Sequence, residues 1–172
     1  MSTLALVLGG ISIPVIAGLD LQQSYEAIGG WSVRRMMSGA AVRQTHWERL
    51  RTRITGTGWL PEGLHLLDYA AALTLDCIAP RSVVSATNTA TLPSARRPDA
   101  SVYAYALTAL DGHHVQTGVV VIGDAATADA VAGAVQYRFV YVPRLQVFAA
   151  APSSEFDRDR GEWRWSLEAE EI

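Results

Sequence analysis

Apolar residues in this chain fall in short runs or alternate with polar ones, and glycine-bearing breaks separate them. Period two and frequent turn residues are the marks of strands joined by tight connections. Residues 4–8 and 11–16 flank Gly9-Gly10 and read as a hairpin. Residues 19–27 read as a strand closed by Gly29-Gly30. Residues 31–37 and 41–47 flank Ser38-Gly39, a second hairpin. A helix over 46–54 competes with an extended continuation, and Thr52, Ile54 and Thr55 favour the latter. The breakers Gly56, Gly58, Pro61 and Gly63 predict a loop over 56–67.

The pattern continues with a strand over 70–78. Residues 80–98 are polar, hold three prolines and many hydroxyls, and read as a long loop or arm. The clearest hairpin joins 101–110 to 113–122 through Asp111-Gly112, because Asp-Gly supplies the positive φ angles of tight hairpin turns. The alanine-rich stretch 124–133 is the one candidate for a short helix. Residues 137–148 read as one long strand, at an edge or bulged because Pro143 lies inside it. Residues 162–172 alternate cleanly, with Trp163, Trp165, Leu167 and Ala169 on one face and Arg164, Ser166, Glu168 and Glu170 on the other. The expected fold is all-β: an antiparallel β-sandwich or barrel with long hairpin and loop excursions and at most one short helix. At 172 residues it fits a single domain over 1–172.

Composition sharpens this. Charged residues are only 18% of the chain, below the usual quarter, which suits either a surface partly covered by partners or a compact β-domain with a quiet surface. All fourteen basic residues are arginine, so each basic contact is a planar guanidinium suited to bidentate pairing and stacking. The net charge of −3 argues against general nucleic-acid binding. Arginines gather at Arg34, Arg35, Arg43, Arg49, Arg51 and Arg53, and acids between Glu155 and Glu171. That asymmetry suits contact between the basic face of one subunit and the acidic face of another. The apolar start, residues 4–8, lacks a basic leader and is cut by Gly9, Gly10 and Pro14, so neither a signal peptide nor a membrane span is expected there.

Catalytic signatures do not assemble in the sequence. His113 and His114 are adjacent on a strand and point to opposite faces, which is unsuitable for one metal. No serine sits in a Gly-x-Ser-x-Gly elbow. Asp20, Glu62, Asp68 and Asp76 supply carboxylates that nothing pairs across a cleft. The single cysteine, Cys77, rules out an intrachain disulfide and reads as a small core residue. The expectation is a non-enzymatic protein without metal or cofactor. Among the tryptophans, core packing accounts for most, and Trp59 reads as a loop plug over the barrel end or against a neighbour. Met36 and Met37 at a hairpin tip beside Arg34 and Arg35 read as contact residues, since Met and Arg are enriched at interfaces.

The block from Gly29 to Asp76 has a distinctive order: Gly-Gly, Trp31, arginines, a Ser-Gly hairpin tip, Trp47, then Thr-Gly-Thr-Gly-Trp-Leu-Pro-Glu-Gly-Leu and a strand ending near Cys77. It resembles small tail proteins of long-tailed bacteriophages from GC-rich hosts, and the closing Gly-Glu-Trp-Arg-Trp-Ser-Leu-Glu-Ala-Glu-Glu-Ile is similar to the last strand of tail-tube-like domains. The resemblance implies a β-sandwich subunit of a ring around the tail lumen, at the distal tail, tail tip or baseplate. It implies a place in the virion after synthesis in the host cytoplasm. The partners it implies are copies of itself and other tail proteins: tail tube, tape measure, tail-tip hub or fibres. The subunit interface expected from these readings comprises Trp31, Arg34, Arg35, Met36, Met37, Arg43, Trp59, Glu168 and Glu170. A second reading is a β-sandwich module that binds carbohydrate or protein through exposed tryptophans.

Overall fold

The computed structural model describes residues 4–109 and 112–172. The described residues form antiparallel strands and one 3-10 turn, Val15–Ala17, so the all-β expectation holds. The chain divides into two compact units. One comprises Val7–Leu75 and Gln146–Ile172, and the other Asp76–Leu145 with the segment up to Leu6. No helix among the described residues is long and apolar enough to cross a membrane.

The first unit opens with β1 (Val7–Leu8) and β2 (Ile11–Ser12), paired across the Gly9-Gly10 turn as the sequence predicts, though each strand is only two residues long. Then come β3 (Gln22–Arg35), β4 (Ala41–Gly58) and β5 (Leu73–Asp76). Two corrections concern glycine. The strand predicted to stop at Gly29-Gly30 runs straight through them to Arg35. The loop predicted from Gly56 starts later, because β4 continues to Gly58. In both places glycine admits a close neighbour instead of turning the chain. A Cβ at Gly56 would lie 2.6 Å from the Trp165 indole, and one at Gly58 would collide with the backbone of the Val15–Ala17 turn.

The second unit holds β6 (Arg81–Ser85), β7 (Thr89–Thr91), β8 (Tyr103–Thr108), β9 (His114–Thr117), β10 (Val119–Ile122), β11 (Ala125–Ala128) and β12 (Ala134–Tyr141). They form a four-stranded sheet in the order β6-β12-β8-β9 and a three-stranded sheet in the order β10-β11-β7. Ala104, Ala106, Ala126 and Ala128 are buried with Tyr137, Phe139, Tyr141 and Leu92 in one core. Small side chains on β8 and β11 leave room for the large rings of β12.

This packing explains three further corrections. The alanine-rich stretch 124–133 is a strand, not a helix. Ala126 and Ala128 point into the core while Thr127 points out, and burial overrides alanine's weak helix preference. Residues 80–98 are not one long loop: β6 pairs with β12 and β7 with β11. The predicted strand over 113–122 divides at Gly118 between the two sheets. The hairpin from β8 to β9 forms, with Gly112 at φ +66°, while Asp111 lies outside the described residues.

The chain ends with β13 (Arg144–Ala149), β14 (Ser153–Asp157) and β15 (Glu162–Glu171). The long strand predicted over 137–148 is broken at Val142-Pro143 into β12 and β13. The sheet order is β2-β1-β5-β13-β15-β4-β3, with β14 also on β15. The terminal strand is thus interior to its sheet. Trp165, Leu167 and Ala169 are buried as its alternation predicts, and Trp163 is half-buried against Phe156, ring centroids 5.1 Å apart.

In the second unit Arg97 is buried, and its guanidinium makes four hydrogen bonds. It donates to the carbonyls of Ala5 (2.7 Å) and Cys77 (2.9 Å) and makes two bonds to Asp99. Those bonds hold the Asp99 carboxyl below its usual range. Cys77 is buried, as expected of a small core residue.

Candidate assembly interface

The feature that sets this chain apart is the distal part of the β3–β4 hairpin. Strand β3 lies at the end of its sheet, and β4 pairs with β15 only from Arg51 onward. From Ala41 to Arg49 every residue of β4 is exposed. Nine residues at about 3.4 Å each make a two-stranded arm roughly 30 Å long. The tip closes through hydrogen bonds from Met36 N to the Ala40 carbonyl and from Gly39 N to the Met36 carbonyl, and Arg35 Nη1 donates to the Gly39 carbonyl at 3.2 Å. The Ser38-Gly39 turn stands where the sequence predicts it.

A bulge shapes the arm. Gly30 lies opposite Trp47 and Trp31 opposite Thr45, so His46 is the extra residue on β4. The Trp47 indole covers Gly30, where a Cβ would lie 2.6 Å from Nε1. A Cβ at Gly29 would lie 2.6 Å from the Trp47 carbonyl oxygen. Gly29-Gly30 is therefore the seat of the bulge. Gly29→Ala should loosen it at a cost of about 1–3 kcal/mol, as overpacked sites do, read as faster amide exchange along 31–47 with the body unchanged.

Consecutive strand residues face opposite ways, so the arm carries one tryptophan on each face. Trp47 lies on the Gly30 side. Trp31 lies on the other, with Val33 and with the Arg43 guanidinium 4.9 Å from its ring centroid. Trp31 is 59% exposed and Trp47 50%. Met36 and Met37 stand in solvent at the tip, beside exposed Arg34 and Arg35. A hairpin with both faces in water is marginal by itself. Trp and Arg are the residue types that dominate binding energy where they become buried.

Of the residues expected at an interface, the structure brings Trp31, Arg34, Arg35, Met36, Met37 and Arg43 together on the arm. Trp59 stands apart, in the loop after β4. Its N–H donates to the Ile16 carbonyl, and its side chain is 62% exposed instead of plugging its own unit. Core packing does not account for most tryptophans: only Trp165 is buried. Glu168 and Glu170 face arginines of their own chain. Arg51 bonds Glu170 at 2.6 Å with Glu26 at 3.6 Å on its other side, and Arg53 lies 3.6 Å from Glu168. The bond to Glu170, and then its charge, raise the Arg51 pKa above its usual value. Part of the basic-to-acidic asymmetry is thus satisfied across the sheet. Trp47 is exposed, although sequence reasoning placed most tryptophans in a core. The signal was there: 41–50 lacks the alternation that a buried face requires.

Beyond this ladder the same sheet face ends in an open groove of about 400 Å³, lined by Asp20, Gln22, Thr55, Glu155, Arg164 and Ser166 among others. Elsewhere in the unit Glu62 is fully buried. Its Oε1 accepts a hydrogen bond from Ser154 Oγ (2.9 Å) and lies 3.0 Å from His65 Nε2, while Oε2 has no hydrogen-bond partner among the described residues. Burial and then the charge of Glu62 raise the pKa of nearby Tyr69, whose hydroxyl donates to the Leu64 carbonyl. These bonds tie the loop between β4 and β5 to β14. The described residues contain no group of three His, Cys, Asp or Glu side chains placed to hold a metal.

The fold and this surface define an all-antiparallel β protein with a projecting cationic, aromatic hairpin. Comparison with protein-family models, with curated proteins and with solved structures gives no match.

Proposed function

We propose that this chain is a structural subunit that assembles with copies of itself through its hairpin arm, and that its setting is a ring at the distal end of a bacteriophage tail. The single observation that carries assembly is the arm, which exposes a tryptophan on each face and two methionines and two arginines at its tip. Charge favours a neighbouring copy as partner. Residues 31–49 hold four arginines and one glutamate, a net +3, against −3 for the whole chain, so the remainder carries −6. Two arms repel each other, and an arm and a body attract. A contact between two different surfaces of one subunit is heterologous, and closes into a ring when the rotation allows.

The phage setting rests on the resemblance of the block from Gly29 to Asp76 and of the terminal strand to tail proteins. In that setting the ring surrounds the tail lumen, its further partners are tail tube, tape measure, hub or fibre proteins, and its role is structural and not catalytic. Exposed Trp59, away from the arm, favours a second reading: a β-sandwich module that binds carbohydrate or protein.

Sedimentation at high protein concentration tests assembly. The native chain should run as a closed multiple of its mass. Arg34→Glu with Arg35→Glu should run as a monomer with unfolding shifted by no more than about 0.5 kcal/mol, as for other surface changes. A native chain that is monomeric at every concentration and absent from purified particles would move the binding-module reading to first place.

A further inference from the structure

We infer that the surface receiving the arm tip is the groove at the base of the same hairpin on the neighbouring copy, with Arg34 and Arg35 set against Asp20 and Glu155. The inference rests on the self-assembly reading above and adds the docking site. Charge narrows the choice of surface. The second unit holds five arginines and five aspartates and is neutral, so the whole excess of −6 lies on the arm-bearing unit outside the arm.

Most acids there are already engaged. Glu26 and Glu170 flank Arg51, Glu168 faces Arg53, and Asp157 lies near Arg160 and Arg164. Asp68 and Glu171 accept backbone N–H groups, from Ala70 and Leu50. Asp20, Glu155, Asp159 and Glu162 form no ion pair among the described residues, and of these Asp20, which accepts from Gln22 Nε2 at 3.5 Å, and Glu155 line the 400 Å³ groove; Arg164 lines it too, with Asp157 3.7 Å away. Their neighbours Gln22, Thr55, Ser153 and Ser166 supply further acceptors for the donors of a guanidinium.

Geometry makes the contact intermolecular. Thr55 pairs with Gln22 at the foot of the hairpin, and Ala41 is at its top. Thirteen strand residues lie between them, roughly 45 Å at the usual rise, and β3 pairs along this stretch with the single bulge at His46. A tip cannot reach its own groove. Tip and groove are distinct surfaces, so each copy offers one of each, and the chain of contacts runs head to tail.

Charge reversal tests the site. Four forms are compared by sedimentation equilibrium: native, the tip pair Arg34→Glu with Arg35→Glu, the groove pair Asp20→Arg with Glu155→Arg, and all four changes together. The expected result is association weakened at least about tenfold by either pair, and restored to within about threefold of native in the combined form. Asp20→Asn with Glu155→Gln should weaken association less than reversal does. Thermal unfolding of each form shows whether a loss is one of folding. If the groove pair associates like the native chain while the tip pair does not, or if the combined form stays dissociated, the docking site is wrong and the arm contact stands. If the native chain does not associate, the assembly reading itself falls.

Discussion

Removal of residues 162–172 should leave a chain that does not fold. Strand β15 is the spine of its sheet. It pairs with β4 from Trp163 opposite Gly58 to Glu170 opposite Arg51, with β14 over its first half and with β13 over its last residues. Losing it removes a pairing neighbour from three strands at once. It also removes buried Trp165, Leu167 and Ala169. Loss of a buried Trp or Leu side chain costs about 2–5 kcal/mol each, so these two alone approach the roughly 5–15 kcal/mol that holds a whole domain together. Arg51 and Arg53 lose their carboxylates, and the inner edge of β4 becomes an open template for aggregation. The expected outcome is an insoluble product, or a soluble one that binds a hydrophobic dye and unfolds without a cooperative transition. A truncated chain with native solubility and an unchanged melting temperature would show that β15 is a free tail.

The same strand shows how much of the fold was legible in the sequence. Its clean alternation could be read because one face is buried and the other faces water, and no glycine interrupts it. The Gly9-Gly10 and Ser38-Gly39 turns were legible for a related reason: positive φ angles there demand glycine, and Gly9, Gly10 and Gly39 adopt them. Gly29, Gly30, Gly56 and Gly58 looked the same in the sequence and do something else. They make room for Trp47, Trp165 and the Val15–Ala17 turn, whose approach depends on residues far away along the chain. The alanine stretch failed similarly. Ala126 and Ala128 are small because Tyr137, Phe139 and Tyr141 fill the same core, and a local propensity contains nothing of that partner.

On the arm, the crowding of Arg34, Arg35, Met36 and Met37 was readable as a tip. The part played by Trp47 was not, because the bulge that turns it onto the Gly30 face arises from cross-strand register. The pairing of Glu168 and Glu170 with Arg53 and Arg51 was hidden too, since more than a hundred residues separate the partners in sequence and adjacency comes only from the sheet.

Trp165→Ala should be the most costly single substitution among the tryptophans, at about 3–5 kcal/mol. Three losses coincide at that site. The indole is 3% exposed, so its full apolar surface returns to water or to a void. It lies over Gly56, which has no side chain to collapse into the space, and a glycine beneath a deleted ring leaves the cavity at nearly full size. Nε1 donates to the Ala17 carbonyl at 2.8 Å, in a buried position, and truncation leaves that acceptor without its donor. Met37→Ala is the internal control. Met37 touches solvent on every side and should change stability by no more than about 0.5 kcal/mol. Denaturant unfolding of both variants beside the native chain measures the difference. The reverse order, or a Trp165→Ala loss under about 1 kcal/mol, would mean that the indole is not packed on Gly56 in solution. With the order as expected, Gly56→Ala in the native background should also destabilise the protein, because a Cβ there meets the ring at 2.6 Å. In the Trp165→Ala background the same methyl enters the vacated space, so the two changes together should cost less than their sum. That non-additivity is the signature of direct contact between the two sites.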